Sequence, residues 1–193
     1  MIDWYLPGYK AGGPITSVSN LIKALNSKFD FSVITRDTDY CESTPYGNVE
    51  SDTWIVGNDG LRSYYFSSDK LNVLSLLKVL RNERFDYLYI NSIYSKYFTI
   101  VPLLFLKSAK YNIIVAPRGM LSEGAKNVKS FKKRMFFKIG KLIRLFNGVV
   151  FQASTEEERK QIQFIFGANV NIKVAPNIPK PIENIKKYKE WIA

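Results

Sequence analysis

Short β-branched and aromatic runs alternate with stretches of helical spacing along nearly the whole chain, and that alternation leaves few folds open. Phe31–Thr35 (FSVIT) reads as a strand, and Pro14–Asn26 before it sets Ile15, Val18, Ile22 and Leu25 at helical spacing. Its proline suits a first helical position. Thr53–Gly57 and Leu61–Phe66 read as short strands about an Asn58-Asp59-Gly60 turn. Asp69–Arg84 is expected to be a helix turning Leu74, Leu77 and Leu80 inward. Phe85–Ile90, Tyr111–Ala116, Val149–Ala153 and Asn171–Ala175 are the remaining strands. Between them fall an apolar helix over Tyr94–Lys107, a long helix over Lys126–Phe146, and one that opens on the capping box Ser154-Thr155-Glu156-Glu157 and stops at Gly167.

Strands separated by helices of about 10–20 residues build a parallel sheet with right-handed crossovers, and near-continuous apolar strands belong to sheets covered on both faces. The expected fold is therefore α/β: a single Rossmann-like domain with a mainly parallel sheet and helices on both faces. Such folds begin with a central strand of about five residues. Here only Met1-Ile2 precede Asp3-Trp4-Tyr5, so the first strand is expected to be truncated. Three prolines in the six residues Pro176–Pro181 mark a hinge. Residues 1–178 are thus expected to form the domain, and 179–193 a linker with a short helix.

Composition removes whole classes of chemistry. The chain has no histidine, which excludes Ser-His-Asp and Cys-His catalysis and imidazole metal sites. Its single cysteine, Cys41, excludes an intramolecular disulfide and suits a reducing compartment. The most apolar run, Ile100–Leu106, is seven residues long. A membrane helix needs ~20. With no basic-then-apolar leader, a cytoplasmic location is expected. Lys and Arg exceed Asp and Glu by 11, and the excess is local: Lys126, Lys129, Lys132, Lys133, Arg134, Lys138, Lys141 and Arg144 cluster where no acid occurs between Gly124 and Thr155. One-sided charge of this kind fits an anionic partner.

Two segments carry candidate chemistry. Gly8-Tyr9-Lys10-Ala11-Gly12-Gly13-Pro14 leads into the first helix, and adjacent glycines there either let backbone amides approach a phosphate or simply make a tight turn. The sequence is not GxGxxG, although Asp37 ends the next strand where a ribose-binding acid would sit. The basic helix is the other segment. Val128, Phe131, Met135, Ile139, Leu142 and Phe146 form a stripe read as core, with Phe136, Phe137 and Ile143 left over. Its cations are either a solvated face or a surface for anionic headgroups at the inner face of a membrane. Nucleic acid is not expected, because no recognition motif accompanies the charge.

Four stretches, in order, resemble the bacterial glycosyltransferase family 4 enzymes. Trp4–Ile15 (WYLPGYKAGGPI) is similar to the family's opening, and Ala116–Leu121 (APRGML) to the loop after its fifth strand. Gln152–Glu158 (QASTEEE) resembles its strand-to-helix junction, and Val174–Pro179 (VAPNIP) its interdomain hinge. Together they span nearly the whole chain. The resemblance implies the N-terminal, acceptor-side half of a two-domain GT-B glycosyltransferase. It further implies a nucleotide-sugar co-substrate, no metal or other cofactor, and retaining transfer to a glycan or lipid-linked glycan.

By position, Gly12 and Gly13 would lie near the donor diphosphate, while Asn91 with Ser92, and Arg118, Gly119 and Met120, would line the acceptor cleft. Trp4 and Tyr5 share that rim, where they either face sugar rings or pack the first loop. Arg118 would neutralise a phosphate or acidic sugar, or cap a carbonyl. The chain departs from the family in lacking the histidine many members place near the acceptor. The nucleotide-binding domain is not among these residues, so the chain alone is expected not to transfer sugar. No residue is assigned as base or nucleophile; Asp3 is the carboxylate nearest the expected site. The rival reading is a non-catalytic module that binds an anionic glycan, a lipid surface or a partner chain.

Overall fold

The computed structural model describes residues 1–106, 111–121 and 130–179, with the side chains of its fourth helix described from residue 134 onward. In chain order the elements are α1 (Gly13–Leu25), β1 (Ser32–Arg36), β2 (Trp54–Val56), β3 (Arg62–Phe66), α2 (Val73–Asn82) and β4 (Tyr87–Ile90). A wide π-type turn (Lys96–Ile100) then leads into α3 (Val101–Phe105). β5 (Asn112–Val115), α4 (Ser130–Leu142), β6 (Val150–Ala153), α5 (Glu156–Phe166) and β7 (Asn171–Val174) follow.

β4, β5, β6 and β7 form an all-parallel sheet in that order. β1, β3 and β2 form another, in which β1 and β3 are parallel and β2 is antiparallel. Met1–Asp3 lies between them. The Met1 amine donates to Tyr89 O at 2.6 Å and Asn91 N donates to Met1 O at 3.0 Å. On the other side Ile2 N donates to Ile34 O at 3.2 Å and Arg36 N to Asp3 O at 3.3 Å. The first central strand survives as a stub that joins β1 to β4, and the whole is the Rossmann-like α/β arrangement that the alternation of elements implies.

Adjacent residues of β1 point to opposite faces, as a strand requires. Val33 joins Ile2, Tyr5, Ile15, Val18 and Ile22 in a small core beneath α1. Ile34 joins the larger core with Phe66, Leu76, Ile90, Phe98, Val115, Phe151 and Ile162.

Several boundaries and faces differ from expectation, each for a local reason. The helix expected from Asp69 starts at Val73, because the Asn72 side chain accepts from Ser75 N and caps it there. Leu76, Leu77 and Leu80 are buried while Leu74 is 80% exposed. A spacing of three drifts off the 3.6-residue period, which rotates Leu74 outward. The helix expected from Tyr94 begins instead at the π-type turn, with Ser95 Oγ accepting from Phe98 N and Ser95 O from Ile100 N. In α5 the cap is Thr155, whose hydroxyl accepts from Glu158 N, one residue later than the expected box.

The largest correction concerns α4. Met135, Ile139 and Leu142, read as core, are 47%, 50% and 83% exposed. Phe136 and Phe137 turn inward instead, packing on Tyr94 at ring-centroid distances of 5.3 and 5.8 Å and meeting Phe146 and Phe166. Both stripes have helical spacing; the aromatic one buries more area and finds edge-to-face partners. Phe146 is buried as expected. Lys126, Val128 and Lys129 lie outside the described residues, as do the side chains of Phe131, Lys132 and Lys133. Arg134, Lys138, Lys141 and Arg144 are exposed. Among the described residues, no helix is long and apolar enough to cross a membrane.

Candidate functional site

Parallel strands deliver their C-terminal ends, and the loops that follow, to one edge of the sheet, where open α/β folds bind ligands. β4 ends there in Asn91-Ser92 and β5 in Pro117-Arg118-Gly119. Arg118 holds a left-handed backbone (φ 56°) and Gly119 follows at φ 74°. A non-glycine residue there costs free energy unless its surroundings hold it, and such strain gathers at functional sites.

The surroundings do hold it. Arg118 Nε and Nη2 donate to Asn91 Oδ1 at 3.1 and 3.0 Å, and Asn91 is only 3% exposed. Nη2 also donates to Tyr89 Oη at 2.8 Å, and Nη1 to Asn177 Oδ1. Burial raises the Tyr89 hydroxyl pKa, with the Arg118 charge acting in the opposite direction, so this hydroxyl stays protonated at neutral pH. It donates in turn to Gln152 Oε1, and Gln152 Nε2 donates to Ala175 O at 2.9 Å. A continuous polar relay therefore runs from the rim arginine to the segment after β7. That segment also meets α1, where Asn20 Nδ2 donates to Ile178 O at 3.0 Å.

Beneath the rim, Glu158 is 4% exposed and its carboxylate is fully engaged. Oε1 accepts from Gly119 N at 2.7 Å; Oε2 accepts from Ser154 N and Ser154 Oγ, both at 2.7 Å. One buried acid thus fixes the loop after β5 to the junction after β6. Met120 is half-buried, with its sulfur 3.7 Å from Ser92 Oγ.

The glycine-rich loop is organised by Asp39, which sequence reading missed. Its carboxylate accepts from Tyr9 N at 2.9 Å, Lys10 N at 3.2 Å and Tyr40 N at 2.7 Å. Burial works to raise its pKa, but these amides and the Lys10 charge outweigh burial and hold it below the usual carboxylate range. Gly8 fits closely here: a Cβ would lie 2.1 Å from Tyr46 Oη and 2.9 Å from Tyr5 O. At the helix start Gly12 (φ 67°) is exposed, and its amide donates to Tyr9 O at 3.0 Å. Ile15 N donates back to Gly12 O at 3.1 Å, and Gly13, also exposed, is the first residue of α1.

Tyr5 is 3% exposed in the α1 core, and burial pushes its hydroxyl up to about 12, so its ring belongs to the packing of the first loop. Trp4 is half-buried, edge-on to Tyr40 at 4.8 Å. Asp3 accepts from Ser95 Oγ at 2.8 Å and lies 3.7 Å from Arg36 Nε. Burial raises its pKa; Ser95 and Arg36 act against the rise.

Asn91, Arg118, Gly119 and Met120 are thus brought together, whereas Gly12 and Gly13 stand at the start of α1. Among the described residues no group of three or more His, Cys, Asp or Glu is placed to hold a metal. Among the described residues clefts lie elsewhere, one of about 420 Å³ between β2, β3 and α2 and another of about 570 Å³ around Phe146–Val149 and Phe166–Asn171. Tyr89, Gln152, Glu158 and Asn177 were not anticipated as site residues. Gln152 had a visible signal, being the polar residue in an otherwise apolar strand. Comparison of the chain with protein families, curated proteins and solved structures found no match in any of the three.

Proposed function

We propose that this chain is the acceptor-side domain of a two-domain glycosyltransferase of the GT-B type, holding a glycan or lipid-linked glycan at the C-terminal edge of its sheet. The observation that carries the reading is Arg118. A guanidinium set in a left-handed backbone, aligned by Asn91 and Tyr89 beside the Glu158-anchored Gly119, is a preorganised cation at the edge where α/β folds bind ligands. The ligand chemistry it suits is a phosphate or carboxylate on the acceptor, drawn by the fixed positive charge and within reach of Nη1, whose described partner is Asn177 alone. The Gly13 amide would contribute to a donor diphosphate.

On this reading the chain alone neither hydrolyses nor transfers sugar from a nucleotide-sugar. A single backbone amide contributes ~0.5–1.5 kcal/mol net. Orientation of both substrates in one closed cleft accounts for ~7–11 kcal/mol of a barrier and needs a second wall. Transfer to a lipid-linked acceptor would bring the domain to a membrane surface. Calorimetry with a panel of nucleotide-sugars and of anionic glycans, with and without a supplied donor domain, tests this. Weak donor binding and glycan binding that Arg118→Ala abolishes are expected; micromolar donor binding or turnover by the chain alone would overturn the reading.

A further inference from the structure

We propose that the outward face of α4 docks the domain on an anionic lipid bilayer through shallow insertion of an apolar ridge. α4 carries two apolar stripes, and the core uses only the one formed by Phe136, Phe137 and Gly140. Met135, Ile139 and Leu142 follow the i, i+4, i+7 spacing of a second ridge, and all three are exposed. Ile143, just past the helix, extends the ridge and is 49% exposed. At about 100° of rotation per residue, Arg134, Lys138 and Lys141 fall along one flank of that ridge. All three are exposed, and the sequence has no acid between Gly124 and Thr155.

Contiguous exposed apolar side chains mark an interaction surface. The charge beside them selects the occupant. Aliphatic and thioether groups next to a flank of one sign fit the headgroup–acyl boundary, with the apolar tips among the acyl chains and the cations at phosphate level. A second copy of the chain would bring this cationic flank against its own kind. The helix is seated beside the rim, because Tyr94, close after Asn91-Ser92, packs on Phe136 and Phe137 of its inward side. The inference rests on exposure along α4 and stands independently of the glycan reading.

Flotation with vesicles of phosphatidylcholine alone, and of phosphatidylcholine mixed with phosphatidylglycerol, tests it. The chain is expected to float with the mixed vesicles and not with the neutral ones. Each basic residue near the surface contributes roughly fivefold in affinity, so Lys138→Ala with Lys141→Ala should cost on the order of 25-fold. Ile139→Asp with Leu142→Asp should abolish the salt-resistant part of binding while near-ultraviolet circular dichroism stays as in the parent, with a small fall in melting temperature because Asp is disfavoured near a helix C-terminus. Equal flotation with neutral vesicles, or an Asp variant that binds as the parent does, would overturn the proposal. So would a dimer in sedimentation equilibrium that Leu142→Asp disperses. Glycan affinity at Arg118 should be unaffected by these variants, so failure here and failure of the acceptor reading are told apart.

Discussion

Arg118 shows how one side chain is held ready by others that never need to touch a ligand. Its three partners leave the guanidinium few alternative positions, and Glu158 fixes the peptide that follows it. Removing the Glu158 carboxylate takes the acceptor from two backbone amides and the Ser154 hydroxyl at once. Glu158→Ala is therefore expected to cost about 2–3 kcal/mol, and Glu158→Gln, which keeps an acceptor oxygen, about 1 kcal/mol. Urea unfolding of the two variants should rank them in that order. Gly8 offers a second test at this scale. The Cβ of Gly8→Ala would collide with Tyr46 Oη, at a cost of about 1–3 kcal/mol. Tyr46→Phe should recover part of that loss, so a double-mutant cycle should be non-additive; strict additivity would mean the loop relaxes without meeting Tyr46.

Among the elements, the stub Met1–Asp3 and helix α4 behave least as ordinary sheet and helix. Met1 sits inside the sheet, and burial lowers its amine from 8.0 to about 5, with the Asp3 carboxylate acting the other way. Between those values the unfolded chain binds a proton that the fold rejects, so stability should fall as pH drops from 8 toward 5. Asp3 contributes with the opposite sign: its raised pKa favours the fold at low pH, and that contribution fades as pH rises above the ordinary carboxylate range. Unfolding at pH 8, 6.5 and 5.5, repeated on a chain acetylated at Met1, separates the two. Acetylation should flatten the slope between 8 and 5, and an unchanged slope would place the amine in solvent.

These elements also show what was legible in the sequence. Strand and helix order followed from periodicity, which needs only local information. The shortness of the stub between β1 and β4 was visible because two residues cannot make a full central strand. The phases of α2 and α4 were not legible. Both candidate stripes of α4 satisfy helical spacing, and the choice depends on Tyr94, Phe146 and Phe166, which are distant or lie past the helix. The candidate site divides in the same way. Asn91, Arg118 and Gly119 were singled out through motif position at strand ends, and the fold sets them side by side. Glu158, Tyr89 and Asn177 act on Arg118 or its neighbour across 29 to 59 residues of sequence, a separation no local pattern encodes.

For the whole molecule, the stub ties β1 to β4, the relay through Tyr89 and Gln152 ties the rim to Ala175, and Asn20 ties α1 to Ile178. Segment 175–178 therefore passes along the same edge that presents Arg118, so ligand contact there and the position of that segment should be linked. The central claim is that this edge is the ligand site, and amide chemical-shift mapping during titration with a phosphate- or uronate-bearing oligosaccharide tests it most directly. The predicted result is a set of saturable shifts at Ser92, Gly119, Ser154 and Asn177 that Arg118→Gln removes. Shifts confined to the cleft lined by Trp54, Tyr64 and Lys78, or shifts at the rim that survive Arg118→Gln, would contradict it.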